Sequence, residues 1–251
     1  LLTQPKPLSQ SSQSTRQLRV AFPQQNVPVG QDAEWCVVSD GGSWREFRFH
    51  DYAQIYEVPG LYEKIFLEHL KSRSHVVMAE ALARELQSRH ANLETCRVLD
   101  LGAGNGHVGA QLHELGVTQL WGVDVLPEAR QAAHRQHPNV YAGYSLVQPD
   151  LLKEVHNFAP NALICVAALG FGDIDPTLFE SIVSGLPSGS LVAFNIKEQF
   201  LNGLDPSGFN RLFGRLTDQG KLKPLRQWRH FHRLSTWGDP LHYLGVVAEC
   251  L

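Results

Sequence analysis

The chain has little of what would announce a special architecture. Of its 251 residues four are cysteines, at positions 36, 96, 165 and 250, and none stands close to another. That spacing excludes a zinc framework and the stapled core of a small secreted domain. It suits a reducing cytoplasm, and Cys165, inside an apolar stretch, reads as a buried structural thiol. No apolar run approaches the roughly 18 to 20 residues needed to cross a bilayer, so no membrane partner is expected. Charge of one sign is scarce too. The net charge is −3 and the pI about 6.5, so nucleic acid is not the expected partner. The opening "LLTQPKPLSQSSQSTRQ" lacks the charged start and apolar middle of a secretory signal. Its Gln, Ser and Pro content reads as a mobile tail over residues 1–17.

What is there is enough for one large core, since 43% of the chain is hydrophobic. "WCVV" and "WREFRF" flank Asp40-Gly41-Gly42 and read as a β-hairpin, with Phe47 and Phe49 on one face. "GLYEKIFLEHLKSRS" and "SHVVMAEALARELQSR" follow with helical spacing, the second carrying the stripe Met78, Ala79, Leu82 and Leu86. Residues 18–92 are accordingly read as an N-terminal hairpin and helical lid, and residues 93–251 as the core. Three tyrosines, Tyr52, Tyr56 and Tyr62, crowd the start of the lid beside a Pro59-Gly60 break suited to a hinge.

From Arg97 onward strands and helices alternate. "RVLDL", "LWGVD", a weaker strand near "YSLVQ", "ALICVAAL" and "SLVAFNI" are separated by helical patterns. Such alternation implies an α/β fold with a parallel sheet and helices on both faces. "KPLRQWRHFHRLS" and "PLHYLGVVAECL" close the chain as two adjacent strands, which implies an antiparallel edge.

The chemistry centres on "VLDLGAGNGHVG", residues 98–109. An apolar strand enters three glycines at alternate positions, Gly102, Gly104 and Gly106. From Gly104, "GNGHVG" satisfies the dinucleotide pattern G-x-G-x-x-G. From Asp100, "DLGAGNG" satisfies D-x-G-x-G-x-G. Asp124 stands 20 residues beyond Gly104, where a strand-end acid grips a ribose, and it fits both readings. Asp100 separates them. A carboxylate beside the turn repels a pyrophosphate and favours a cationic ligand.

The second pattern resembles the nucleotide-binding motif of class I S-adenosylmethionine (SAM)-dependent methyltransferases, small-molecule type, and the resemblance covers roughly residues 60–251. It implies a doubly wound, seven-stranded, mostly parallel sheet with an antiparallel C-terminal edge. The N-terminal helical and hairpin segment would be its cap. It implies SAM as cofactor. Asp100, Gly102, Ala103, Gly104 and Gly106 match the turn around its methionine end. Asp124 matches the ribose acid, and Val125 packs beside the adenine. Asp150 and Leu151 of "QPDLL" match the pair that meets the adenine. Ala167 lies in the strand end that lines the transfer cleft, and Tyr52 and Tyr56 close over the cofactor. For a base acting on the acceptor, Glu198 stands at a strand end, and His230 and His232 share one face of the penultimate strand; Asp173 and, more remotely, His242 and Tyr243 are further candidates. The basic residues of 221–233 split between two faces of that strand, so a solvated edge is expected there. The expected activity is methyl transfer to a small-molecule acceptor, with natural-product intermediates among the candidates. The alternatives are a nicotinamide-dependent oxidoreductase using "GNGHVG", and a non-catalytic SAM-binding partner or sensor.

Overall fold

A computed structural model describes residues 18–23 and 29–251. The tail expected over residues 1–17 lies outside the described residues. Strands β1 (Arg19–Ala21), β2 (Trp35–Ser39) and β3 (Arg45–Arg48) form a small antiparallel sheet. Its second and third strands are the expected hairpin, and Cys36, Val38, Phe47 and Phe49 are its buried face. They pack on α1 (Tyr52–Glu57) and on a π-helix, Glu63–His69, through Ile55, Leu61, Ile65 and Phe66. The π-turn widens where Leu70 donates to the Ile65 carbonyl and Ser72 to that of Phe66.

Helix α2 (Ser74–Ser88) departs from the expected division. It was assigned to the lid, but Met78 and Leu82 pack directly on the main sheet against Val98, Ile164 and Ala193. Its apolar stripe is as wide as a sheet-facing helix requires. Helix α2 therefore belongs to the sheet layer, and only the segment before Ser74 packs apart from it.

The core follows as β4 (Arg97–Leu101), α3 (His107–Glu114), β5 (Gln119–Asp124), α4 (Pro127–Gln136), β6 (Gly143–Leu146) and α5 (Leu151–Phe158). Then come β7 (Ala162–Cys165), α6 (Pro176–Ser184), β8 (Leu191–Ile196), α7 (Phe209–Asp218), β9 (Leu222–Leu234) and β10 (Pro240–Cys250). The strand order is β6-β5-β4-β7-β8-β10-β9. The first five strands pair in parallel, and β10 is inserted antiparallel between β8 and β9. In β4 alternation splits the sheet faces. Val98 joins the layer of α2 and α3, while Leu99 and Leu101 join that of α5, α6 and α7. The expected strand "ALICVAAL" stops at Cys165, because Ala167 turns to a φ of +57°. Residues 230–234 and 240–243 of the last hairpin extend beyond the end of its pairing with β8 at Ile196.

Candidate functional site

The carboxyl ends of β4, β5 and β7 open on one cavity, walled at its far side by the β9–β10 hairpin, as expected for ligands of a doubly wound sheet. After β4 the chain turns through Gly102 (φ +72°) and Gly104 (φ +56°). A Cβ at Gly102 would lie 2.7 Å from that of Ala168, and one at Gly104 would lie 2.6 Å from the Tyr56 hydroxyl. Only glycine satisfies both the backbone and the close approach. Asp124, at the end of β5, braces the turn. Its Oδ2 accepts the Gly104 N–H at 2.8 Å and its Oδ1 the Leu126 N–H at 3.0 Å. Burial raises its pKa, and these bonds oppose the rise.

Asp100 sits behind the turn and not in it. It is wholly buried on the α3 side of the sheet and does not line the cavity. Tyr141 donates to its Oδ2 at 2.7 Å. Burial pushes its pKa up to about 7, against the pull of that bond. The sequence argument placed this carboxylate beside the ligand, but strand alternation directs it into the layer beneath.

The lid covers the turn. Tyr52, Tyr56 and Tyr62 stack in series, with centroids 5.9 and 5.7 Å apart. Glu63 latches them down. Its Oε1 accepts from Asn105 of the turn and bonds His107 of α3, each at 2.8 Å, and its Oε2 accepts from Gln136 of α4 at 3.3 Å. Burial would raise the Glu63 pKa, but the His107 bond and neighbouring charges bring it below the usual value. The space left beneath is about 120 Å³, well short of the roughly 300 to 1,000 Å³ of pockets that hold drug-sized ligands.

A buried polar chain supports the far end. Asn195, fully buried near the end of β8, accepts the Ala167 N–H through Oδ1 at 2.6 Å. This fixes the amide, so its Nδ2 donates to Ser74 Oγ at 2.9 Å and to His230 Nε2 at 3.3 Å. His230 Nδ1 then carries the proton and donates to the Phe231 carbonyl at 3.0 Å. Both nitrogens of His230 are committed, and burial lowers its pKa. The Ser74 hydroxyl is left to donate to His232 Nδ1 at 2.8 Å. His232 therefore keeps its proton on Nε2 and meets the cavity as a neutral N–H donor, its pKa held well below 6.5 by burial and by Arg233. It also stacks on Tyr243 with centroids 4.1 Å apart.

Arg233 and Glu34, 3% and 2% exposed, close this end with an ion pair of 2.5 Å. Glu34 also accepts the Thr236 N–H at 2.6 Å, and Arg233 donates to the Leu234 carbonyl at 2.7 Å. The pair is neutral as a unit. Asp173 is different. It lines the cavity, and burial together with Asp124 raises its pKa to about 6.

The structure thus brings Gly102, Ala103, Gly104, Asp124, Val125, Ala167, Tyr52, Tyr56 and His232 to one cavity. Gly106 lies outside it, packed against Tyr141 and His137. Asp150 is exposed at the start of α5, and Leu151 is buried in the opposite core layer. Neither meets the cavity. Glu198 faces solvent, 3.7 Å from Arg229, because the chain leaves β8 outward into a short 3-10 turn, Glu198–Leu201. His230 lies behind Asn195. Of the six residues considered as bases, Asp173, His232 and Tyr243 line the cavity, His232 as a donor, and Glu198, His230 and His242 do not. Sequence reasoning missed Gln31, Glu34, Ser74, Asn195 and Arg233. Asn195 alone left a signal, an amide inside the apolar strand "LVAFNI".

No family model matches the chain, and no curated protein matches it in sequence. Among solved structures, an O-methyltransferase from Bacillus cereus in complex with SAH is similar at a TM-score of 0.51 and 13% identity, over 70% of this chain and 81% of that one. A Thermoplasma acidophilum protein designated 1320 is similar at a TM-score of 0.50 and 14% identity, over 73% of this chain and 93% of that one. The likeness is one of fold: the core of this chain has the class I methyltransferase fold.

Proposed function

We propose that the protein is a SAM-dependent methyltransferase acting on a small-molecule acceptor. The observation that carries this reading is the charge of the cavity beside the glycine turn. Asp124 faces it at the turn itself. Of the cavity histidines, His50, His75 and His232 are shifted toward the neutral form by burial, His75 down to about 4, and His107 is bonded to Glu63. Arg233, the one lining lysine or arginine among the described residues, is paired with Glu34. A pyrophosphate at this turn would face the Asp124 carboxylate with no free cation among the described lining residues to balance it. An ammonium and a sulfonium would be drawn in. This favours SAM over a nicotinamide dinucleotide.

The residues present fit that cofactor. The turn from Gly102 to Gly104 admits a ligand to the backbone. Each oxygen of Asp124 accepts one protein bond and keeps a further lone pair for ribose hydroxyls. Val125, 44% exposed, and Leu126 form an apolar wall for an adenine. When bound, SAM supplies an activated methyl group on a cationic sulfur. The chain's own part is to bind, orient and exclude water. The tyrosine stack and the Glu63 latch close the site, and Asn195 fixes Ala167 at the end of β7. The enclosed space favours a small acceptor. Lys221 and, on β9, Lys223, Arg226 and Arg229 are exposed, in agreement with a solvated edge, whereas Arg233 at the end of the same stretch is buried.

Calorimetry tests the reading. SAM and its demethylated product SAH are expected to bind with micromolar affinity. Asp124→Asn, which retains an acceptor for Gly104, should weaken SAH by about 1.5 to 3 kcal/mol, the scale of charge-assisted hydrogen bonds. Micromolar binding of NADH without measurable binding of SAH would overturn the proposal.

A further inference from the structure

We propose that the acceptor is recognised through its own hydrogen-bond donors, as a planar amine or hydroxyl compound held by Asp173 and Gln31. This rests on the methyltransferase reading above and specifies the other half of the same cavity.

Buried acceptors in native proteins are paired almost without exception, so an unpaired one facing a cavity marks where a ligand's donor belongs. The far end of this cavity has one such group, on Gln31, beside a half-buried carboxylate, Asp173. Asp173 receives no hydrogen bond from the described residues. It is delivered there by the turn through Gly170 and Gly172, both at positive φ, and by the bridge between Leu169 and Ile174. Gln31 is 8% exposed; its Nε2 donates to the Tyr243 hydroxyl at 2.7 Å and its Oε1 is buried without a partner.

The surroundings narrow the class. Phe49, Tyr52, Phe171 and Tyr243 wall the space with rings, which suits a flat molecule. An anion has nothing to recruit it. The Arg233 charge is cancelled by Glu34 at 2.5 Å, whereas Asp173 has no cationic partner among the described residues. A carboxylate or phosphate on the ligand would face that uncompensated charge. An N–H or O–H group would satisfy it.

The experiment uses the full chain saturated with SAH and four ring probes of similar shape: benzylamine, phenol, toluene and benzoate. Binding is read by calorimetry and by saturation-transfer NMR. Benzylamine and phenol should bind at least tenfold more tightly than toluene or benzoate. Asp173→Asn should abolish that preference while SAH affinity stays within twofold. Gln31→Met, chosen in case the first variant folds poorly, should cost the donor probes at least threefold and leave toluene unchanged. Benzoate or toluene binding as tightly as the donor probes would overturn the proposal. So would a tenfold loss of SAH affinity in Asp173→Asn, which would assign Asp173 to the cofactor. Absence of SAH binding to the unaltered protein is a separate result, seen in the first titration, and it refutes the methyltransferase reading itself.

Discussion

Tyr141→Phe isolates the buried carboxylate behind the glycine turn. The ring packs closely on α3, since a Cβ at Gly109 would lie 2.4 Å from the Tyr141 hydroxyl. Phenylalanine keeps that packing and removes the hydroxyl, which donates to Asp100 and accepts from the Gly109 N–H, the second bond being independent of pH. Asp100 is wholly buried, and its Oδ1 has no partner. Burial holds its folded pKa at about 7, above the ordinary carboxylate range, so between the two the folded state holds the extra proton. The favourable contribution is therefore complete below the unfolded pKa and is lost as pH rises through about 7. At pH 8.5 Asp100 is ionised, and losing a bond to a charged acceptor costs about 1.5 to 3 kcal/mol. At pH 5.5 it is neutral, and the same bond is worth about 0.5 to 1.5 kcal/mol. The variant should thus lose about 1 to 2 kcal/mol more at the higher pH. For a chain of this size that is roughly 2 to 8 °C of extra melting-temperature loss. Thermal unfolding of both proteins at the two pH values measures it, and other titrating groups cancel in the difference. An equal loss at pH 5.5 and 8.5 would refute the reasoning.

Two further outcomes follow from the lid and the closing ion pair. Glu34→Ala leaves Arg233 buried without its partner and should destabilise the fold by about 3 to 5 kcal/mol in urea denaturation, with most of that recovered when Arg233→Met and Glu34→Leu are combined; a single-variant loss below 1 kcal/mol would contradict the burial argument. Amide exchange across residues 52–70 should slow when SAH is added, because the roughly 120 Å³ beneath the tyrosines admits a nucleoside only when the lid lifts and re-forms around it; equal protection with and without SAH would count against a moving lid.

Local pattern carried the core. Strand, glycine turn and helix around Gly102, and Asp124 one strand later, lie within a few tens of residues, and their spacing is written directly in the chain. Residue roles were less legible where they depend on which way a side chain points. Asp100 was recognised as unusual, yet one step of β-alternation decides whether it meets the ligand or the layer beneath. His230 and His232 share a face and looked equivalent. An amide from β8 separates them, consuming the one and leaving the other at the cavity through Ser74. Glu198 was judged by its position after a strand, but the 3-10 turn carries it outward. Glu34 and Arg233 were out of reach for a different reason. Nothing in either neighbourhood indicates a partner 199 residues away.

That separation bears on the order in which the site assembles during synthesis. Gly104 and Asp124 are 20 residues apart, and Asp100 and Tyr141 are 41. By contrast Gln31 waits for Tyr243 across 212 residues, Glu34 for Thr236 across 202, and Ser74 for His232 across 158. Contacts of such range are the slowest to close. As the chain leaves the ribosome from its N-terminus, the nucleotide half has its strands and turn in hand well before the final hairpin exists. Until that hairpin emerges, Glu34, Gln31 and Ser74 stand without their partners. A nascent chain stalled before Leu222 would have a cofactor cradle with one end open, and release of the last strands is the event that shuts it.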